Sequence, residues 1–377
     1  MRKFDKASLQ AVIFAEAKKL CVPGAVVLLR TPQEQFTVNY GTTELGAHTT
    51  PDAQTHFRIA SNTKTMTAAL IMLLAQKQKL ALEDPISKYV SGVPNGDKIT
   101  IANLLEMRSG LYNYTDSPKI SDCIDREPTK VWSPKELLAL SFAHQISAPA
   151  GEKFEYDNTN YALLGLAIEK VDGRSLEKAM HDYLFAPLKM VDTQLPGAES
   201  NVISKPYSHG YLFGSSSVAL VGTPPYAPEL EASARAGKIL PKDYTNVNHS
   251  FAAAAGGVTS TAADLAKWIE ALGTGVIFNP EYRRRWLGSL KIEDPANPDG
   301  TQYGYGIARM HWSSNEYYYH GGETPGYNSF IGFDPTNKVS LVVWTNLTVS
   351  PKQELTANTL MLKVLEHIYV VSPIPAK

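Results

Sequence analysis

The stretch SNTKTMTAALIMLLAQKQKL, residues 61–80, is almost free of polar side chains in its middle. An apolar run of this length is too long for a strand and lacks the polar face of a surface helix. It therefore predicts a helix buried at the centre of the fold. The run begins with a serine that is followed three residues later by a lysine. We expect Ser61 and Lys64 to lie at the mouth of this helix.

Strand patterns lie on both sides of this helix along the chain. Near the N-terminus, runs at 25–29 and 35–40 flank a turn-like segment and predict an antiparallel hairpin. Near the C-terminus, strand signals return at 302–310, 316–320, 328–335 and 338–346. Antiparallel sheets accept partners that are far apart in sequence. The predicted fold class is α/β of the α+β type: one antiparallel sheet flanked by N- and C-terminal helices, with a mainly helical region inserted.

The inserted region is predicted from helical periodicity between about residues 81 and 272, with turn signals between the segments. The helical segments lie at 99–111, 133–144, 160–171, 175–185 and 261–272. Residues from about 200 to 250 are rich in Pro, Gly, Ser and Tyr without periodicity, which predicts loops. We therefore predict a discontinuous sheet domain, residues 1–80 and 273–377, and a helical domain, residues 81–272, with the active site at their junction.

Composition excludes several classes of function. The 377 residues include 36 basic and 37 acidic side chains, so the net charge of -1 provides no electrostatic footprint for nucleic acid. The two cysteines, Cys21 and Cys123, make neither a disulfide framework nor a zinc site, and no HExxH motif is present. No metal or organic cofactor is predicted. No apolar run reaches the roughly 18–20 residues of a membrane span. The expected partner is a small-molecule or peptide substrate.

The first chemical motif is S-x-x-K at Ser61 and Lys64. A serine hydroxyl is a poor nucleophile until a base takes its proton, and a lysine whose pKa is lowered by burial can do so. About one chance match to this motif is expected in a chain of this size. Ser175 and Lys178 form such a match, but they open an amphipathic helix, where Ser175 is interpreted as an N-cap. An N-cap role for Ser61 would leave Lys64 unexplained in a buried helix.

The second motif is Tyr-x-Asn at Tyr156 and Asn158, directly before a helical segment, so both side chains can point into a common cleft. A tyrosine near cations can act as a base. The alternative is a packed loop tyrosine with Asn158 as an N-cap. Tyr244 and Asn246 have the same spacing but lie in the irregular segment without a following helix, and we discount them.

The third motif, His320-Gly321-Gly322, follows a strand-like run and precedes Glu323. It is predicted at a sheet edge that turns sharply, where glycines let a substrate approach the backbone. An edge strand can bind an extended acyl group, and one of its backbone N–H groups can join that of Ser61 in an oxyanion hole. The alternative is a histidine before an ordinary glycine turn.

Together, in this order, the three motifs resemble the serine β-lactamase and penicillin-binding superfamily, in the branch of class C β-lactamases and D-alanyl-D-alanine carboxypeptidases. The similarity covers nearly the whole chain and includes the stretches FRIASNTKTMTAAL, LLEMRSGLYNYTD, FEYDNTNYALLGLAIEKVDG, FAPLKMVDT and HGGETPGYNSFIGFDP. The order of these stretches is most similar to the carboxypeptidases.

This resemblance implies a role for each site residue. Ser61 is the residue that is acylated, and Lys64 and Tyr156 carry its proton. Asn158 binds the acyl amide of the substrate, and His320 assists substrate binding or proton transfer. Gly321 and Gly322 belong to the strand that binds the substrate. The backbone N–H groups of Ser61 and Glu323 form the oxyanion hole. Which base acts first stays open at this point.

One departure from the family pattern concerns the substrate. Relatives that bind a substrate carboxylate carry Lys-Thr-Gly or His-Thr-Gly followed by Ser or Thr, whereas this chain has His-Gly-Gly followed by Glu323. A Glu323 side chain that faces the cleft would repel a carboxylate and attract an amine. Arg309 in a nearby strand could bind a carboxylate, but an arginine at a solvated strand edge is the simpler interpretation.

The sequence therefore predicts a serine hydrolase that acts through an acyl-enzyme on amide, peptide or ester bonds, most like a D-alanyl-D-alanine carboxypeptidase. The alternatives are an esterase, a D-amino-acid amidase or aminopeptidase, and a weak class C-like β-lactamase. The non-enzymatic alternative is a penicillin-binding sensor that is acylated without turnover. The N-terminus is interpreted as an amphipathic helix rather than a signal peptide, although the family resemblance favours a periplasmic or secreted protein. The oligomeric state stays open.

Overall fold

The structure is a computed structural model that describes residues 5–369. Its strands are, in chain order, β1 (Gly24–Arg30), β2 (Gln35–Gly41), β3 (Phe57–Arg58), β4 (Tyr211–Leu212), β5 (Lys242–Asp243), β6 (Thr259–Ser260), β7 (Lys291–Ile292), β8 (Gln302–Tyr303), β9 (Ala308–Trp312), β10 (Asn315–Thr324), β11 (Tyr327–Asp334) and β12 (Val339–Thr345).

The helices are α1 (Lys6–Lys19), α2 (Thr63–Gln76), α3 (Ile101–Leu105), α4 (Pro118–Arg126), α5 (Pro134–Phe142), α6 (Asn158–Asp172), α7 (Leu176–Met180), α8 (Ser216–Val221), α9 (Leu230–Arg235), α10 (Ala253–Gly256), α11 (Ala262–Thr274), α12 (Pro280–Gly288) and α13 (Thr356–Ile368). A π-helical turn, His181–Phe185, follows α7.

The central element is an eight-stranded antiparallel sheet in the order β2-β1-β12-β11-β10-β9-β8-β7. Strands from both ends of the chain meet where β1 pairs with β12, with Val27 opposite Val343. Because successive side chains alternate between faces, Val26 and Leu28 pack into one core and Val27 into the other. Apolar residues in β1 are therefore needed on both faces, as the near-continuous run 25–29 indicates.

Helices from the two chain ends cover one face of the sheet. In α1, Leu9, Ile13 and Ala17 recur every four residues and are buried, which places them on one helical face. They share a core with residues of α13 such as Leu360 and Val364. This arrangement confirms the predicted flanking helices. The predictions for residues 1–4 and for 370 onward lie outside the described residues.

The opposite face is covered by α11, and the predicted central helix α2 packs beyond it. Every residue of α2 from Thr63 to Ala75 is buried. Helix α11 packs between α2 and the sheet, and its Trp268 donates a hydrogen bond from Nε1 to Thr65 Oγ1 at 2.7 Å. None of the helices among residues 5–369 is long and apolar enough to cross a bilayer.

The structure corrects three of the predictions made from the sequence. The predicted helix at 99–111 is only the short α3, because a capping box at Thr100 starts it and Met107, with a φ of 60°, ends helical geometry. The irregular segment at 200–250 contains α8, α9 and the small β4–β5 sheet. The sharp turn predicted at the third motif lies just after it, because β10 continues through Thr324 and pairs there with Tyr327, the first residue of β11. The division into two domains stays a prediction.

Candidate active site

Ser61 lies on a tight turn between β3 and α2. It is the middle residue of the 3₁₀ turn Ala60–Asn62, and Ala60 has a φ of 50°. For a residue with a Cβ, this left-handed conformation costs on the order of 1–2 kcal/mol. The turn is tied to the sheet by Asn62, whose Nδ2 donates to Ser329 Oγ at 2.8 Å. The Ser61 side chain is partly exposed, so a substrate can reach it.

Lys64, one helical turn later, is completely buried. Its Nζ lies 3.0 Å from Ser61 Oγ, 2.7 Å from Asn158 Oδ1 and 2.7 Å from the carbonyl oxygen of Ala255. Burial holds the pKa of Lys64 well below its ordinary value, and the charge of Asp157 offsets this only in part. A neutral amine has two N–H donors and one lone pair. In the neutral form Asn158 and Ala255 can accept the two N–H groups, which leaves the lone pair to face the Ser61 hydroxyl.

Tyr156 lies on the open side of the Lys64 amine. The Lys64 Nζ is 4.9 Å from the centre of the Tyr156 ring, and the phenol hydrogen-bonds with Ser61. The side chain is 40% exposed, although its hydroxyl lies inside the site. Burial of the hydroxyl raises the pKa of Tyr156 above its usual range, and the hydrogen bond to Ser61 lowers it only in part. The phenol is therefore protonated at neutral pH and can donate a proton.

The segment around Tyr156 is positioned by Met107. The Met107 carbonyl oxygen accepts the Glu155 N–H at 2.9 Å, and its Sδ accepts the Asp157 N–H at 3.4 Å. Asp157 then caps α6, because its Oδ1 accepts the Thr159 N–H at 2.7 Å. Burial raises the pKa of Asp157 to about 7.

Asn158 is the first residue of α6, and both ends of its amide group are engaged. Its Nδ2 donates to Thr115 Oγ1 at 2.9 Å, while its backbone N–H donates to Asn113 Oδ1 at 3.0 Å. These contacts turn Oδ1 towards Lys64. A second Nδ2 proton is left that can reach a substrate carbonyl.

His320 is buried behind Tyr156, and its ring centre lies 6.3 Å from that of Tyr156. Its Nδ1 is 2.6 Å from the Gly321 carbonyl oxygen and its Nε2 is 3.0 Å from Tyr303 Oη. A carbonyl oxygen only accepts, so Nδ1 carries the proton and Nε2 accepts from the phenol. Burial lowers the pKa of His320 to about 3. The imidazole is therefore neutral and supports the site through its hydrogen bonds.

The two glycines that follow His320 have different surroundings. A Cβ on Gly322 would lie 2.2 Å from the Ile59 carbonyl oxygen and 2.4 Å from Ser329 Oγ. A Cβ on Gly321 would meet nothing closer than 4.0 Å. Gly322 is therefore required for β10 to approach the turn that carries Ser61, whereas Gly321 is not needed for packing.

A cavity of about 40 Å³ opens beside Ser61. It is lined by Ala60, Ser61, Tyr114, Thr115, Asn158, Leu220, Phe251, Ala252, Ala255, Gly256, Glu323 and Thr324, none of which is a lysine or arginine. No hydrogen bond or ion pair engages the Glu323 carboxyl group within residues 5–369. Burial raises the pKa of Glu323 to about 8. The side chain is only partly buried, and its charge lies close enough to raise the pKa of Tyr156.

Of the predicted site residues, Ser61, Asn158 and Glu323 line this cavity. Lys64 contacts Ser61, Tyr156 lies beside Lys64, and His320 lies behind Tyr156. The discounted matches lie apart from them. Ser175 accepts the Lys178 N–H as the N-cap of α7. The Tyr244 hydroxyl donates to Asp125 Oδ1 at 2.8 Å. Arg309 pairs with Glu316 at 2.8 Å on the neighbouring strand and does not line the cavity.

Several contributors to the site were missed from the sequence. Met107, Asn113 and Thr115 position the second motif, and Tyr303 holds His320. The stretch LLEMRSGLYNYTD, which contains three of them, already stood out by resemblance. Ala255 acts through its carbonyl oxygen, for which a side-chain pattern has no signal.

The family model described as Beta-lactamase matches residues 9–366. The chain belongs to the beta-lactamase family. This match, together with the solved structures below, confirms the predicted superfamily, the fold class and the prediction of a serine hydrolase.

Three family relatives are similar to this chain. Protein flp of Staphylococcus aureus (strain MW2) is 27% identical over 351 residues, which cover 91% of this chain and 63% of flp. This beta-lactamase family chain thus spans less than two thirds of the length of flp. A D-stereospecific amidohydrolase from Streptomyces sp. has a TM-score of 0.80 at 27% identity and covers 98% of this chain and 99% of its own. The D-amino acid amidase from Ochrobactrum anthropi SV3, complexed with L-phenylalanine amide, has a TM-score of 0.79 at 26% identity, with 97% and 98% covered.

Proposed function

We propose that this chain hydrolyses amides of D-amino acids that carry a free α-amino group, through an acyl-enzyme on Ser61. The observation that carries this proposal is the Glu323 carboxyl group, which lines the same cavity as Ser61 without a cationic partner. Glu323 is partly buried, and partial burial disfavours its charged form, which an opposite charge beside it would favour. The ammonium group of a substrate would supply the missing partner. The D configuration is inferred from the names of the two similar amidohydrolases.

Acylation begins with Lys64 as the base. Its lone pair takes the Ser61 proton, and Oγ attacks the carbonyl carbon of the amide. The backbone N–H groups of Ser61 and Glu323 are proposed to hold the oxyanion, which is supported by the close approach of β10 to the Ser61 turn at Gly322. Tyr156 donates its phenolic proton to the amide nitrogen as the C–N bond breaks. The resulting phenolate is reprotonated from the Lys64 ammonium, and ammonia leaves.

Deacylation uses the same groups in reverse. A water molecule loses a proton to the Lys64 amine as its oxygen attacks the acyl carbon. The bond from that carbon to Ser61 Oγ then breaks, and the proton passes to Oγ. Lys64 and Ser61 return to their starting states, and the free D-amino acid leaves.

A second candidate is the D-alanyl-D-alanine carboxypeptidase reaction. The observation that favours it is the C-terminal half of β10, since residues 320–324 pair with β11 but not with β9. An extended peptide can bind such a free strand side. The absence of a cationic side chain among the residues that line the cavity disfavours the C-terminal carboxylate of that substrate.

The test compares D-alaninamide, N-acetyl-D-alaninamide and N-acetyl-D-alanyl-D-alanine as substrates of the wild type and Ser61→Ala. We expect turnover of D-alaninamide that is lost in Ser61→Ala, and at least a tenfold lower kcat/KM after acetylation. Equal rates with and without the acetyl group would refute amine recognition. Faster release of D-alanine from the acetylated dipeptide would favour the carboxypeptidase.

Intact-protein mass measurement with benzylpenicillin adds an independent check. An adduct on the wild type that is absent from Ser61→Ala would identify Ser61 as the nucleophile. Consumption of the drug in the same sample would indicate β-lactamase activity.

A further inference from the structure

Helix α8 supplies one wall of the cavity beside Ser61 through Leu220. The helix is anchored to α4 rather than standing free. The Ser216 N–H donates to both carboxylate oxygens of Asp125, at 3.1 and 3.2 Å, and Ser216 Oγ donates to the Ser121 carbonyl oxygen at 2.9 Å. Since α8 begins at Ser216, these bonds fix the end of the helix that lies one turn before Leu220.

The remaining apolar wall is made of buried aromatic side chains. Tyr114 and Phe251 are both buried, and Tyr114 Oη donates to the Phe251 carbonyl oxygen at 2.6 Å. Tightly packed and hydrogen-bonded rings move little. Leu220 is only partly buried, so it is the apolar lining side chain whose replacement enlarges the cavity with least damage to the core.

We propose that Leu220 limits the side chain of the acyl group at this site to about the size of a methyl group, so that alanine derivatives are preferred over leucine or phenylalanine derivatives. The proposal deepens the proposed function and rests on it for the identity of the substrate. The cavity measures about 40 Å³, whereas an engineered protein cavity that holds the six carbons of benzene measures about 150 Å³. A benzyl side chain that entered this cavity would therefore need more room than the wall at Leu220 leaves.

The first experiment measures kcat/KM for D-alaninamide and D-phenylalaninamide. In the wild type we expect a ratio of at least about ten in favour of alanine. In Leu220→Ala the ratio should fall at least about tenfold, because the shortened side chain opens the cavity. Val221→Ala, at an exposed neighbour on α8 outside the cavity lining, should leave the ratio unchanged. Leu220→Val serves as a milder second variant, and its ratio should lie in between.

The second experiment uses p-nitrophenyl propionate and p-nitrophenyl 3-phenylpropionate, which carry the same two acyl groups without the amine. The ratio of kcat/KM for the two esters is compared between wild type and Leu220→Ala, so that the intrinsic reactivities of the esters cancel. A ratio that shifts for esters while no amide is cleaved would refute the proposed function and support the size limit. A ratio unchanged within twofold by Leu220→Ala in both series, or a wild type that cleaves the large derivatives as fast as the small ones, would overturn the size limit.

Discussion

Replacing Glu323 by glutamine tests amine recognition directly, because it removes a charge from the cavity and keeps the size of the side chain. A hydrogen bond to a charged group contributes about 1.5–3 kcal/mol, which corresponds to roughly 10- to 150-fold. We expect kcat/KM for D-alaninamide to fall by this factor in Glu323→Gln. The ester p-nitrophenyl propionate has no amine, so its kcat/KM should change by less than about threefold.

The pH dependence of the amide-to-ester ratio of kcat/KM in the wild type gives a second test of amine recognition. Burial raises the pKa of Glu323 to about 8, so only about one molecule in ten has an ionised group at pH 7. A free α-amino group has a pKa of about 7.7–8.0 and loses its charge above that range. Pairing of the two charged forms is therefore most frequent near pH 8. The amide-to-ester ratio of kcat/KM should peak there and fall on both sides.

The assay follows ammonia release and p-nitrophenol release between pH 6 and 10. Taking the ratio of the two substrates cancels titration of Lys64 and Tyr156, which serve both. Glu316→Gln is the matched control, since Glu316 lies on the same strand but pairs with Arg309 outside the cavity. A Glu323→Gln enzyme that keeps its amide kcat/KM within twofold at pH 8, or one that loses amide and ester activity equally, would contradict amine recognition.

Three further predictions concern the proton machinery and its support. Lys64→Met should lower kcat for every acyl substrate by at least about 100-fold, measured with p-nitrophenyl propionate, and far-UV circular dichroism should show an intact fold. Gly322→Ala should lower the free energy of unfolding in urea by about 1–3 kcal/mol and abolish acylation, whereas Gly321→Ala should leave stability within about 0.5 kcal/mol; equal effects would contradict the assigned packing. Because burial raises the pKa of Asp157 from 3.8 to about 7, its contribution to stability is present below about pH 4 and is lost as the pH rises through 7. Asp157→Asn, which keeps an N-cap, should therefore gain stability relative to the wild type between pH 4 and 7.5, as urea unfolding at both pH values would show.

Much of the fold could be predicted because its pattern is local. The runs at 25–29 and 35–40 became β1 and β2 with one added residue at most ends, and the apolar run after Ser61 became α2. The short elements could not be predicted in this way. Helix α8 is only six residues long and owes its place to hydrogen bonds with Ser121 and Asp125, almost 100 residues earlier.

The candidate site was predictable where side chains carry the chemistry and unpredictable where backbone or distant residues do. Ser61, Lys64 and Tyr156 are distinctive as residue types, and spacing alone brings the first two together. The Lys64 amine, however, is oriented by the carbonyl oxygen of Ala255, 191 residues away. The role of Gly322 depends on the position of Ile59 across the junction, which no local pattern contains.

The residues proposed for chemistry and for selection lie on different elements. The proton machinery sits on α2 and at the start of α6, where burial holds the pKa of Lys64 well below its ordinary value and Asn158 and Ala255 orient its amine. The groups proposed to select the substrate, Glu323 and Leu220, come from β10 and α8. Neither of these two side chains makes a hydrogen bond to the lysine in the described part of the chain. A substitution at either position can therefore change which acyl group is accepted, while the nucleophile Ser61 and its base Lys64 stay the same. For this reason the amide-to-ester and small-to-large ratios of kcat/KM, rather than total activity, separate the two parts of the site.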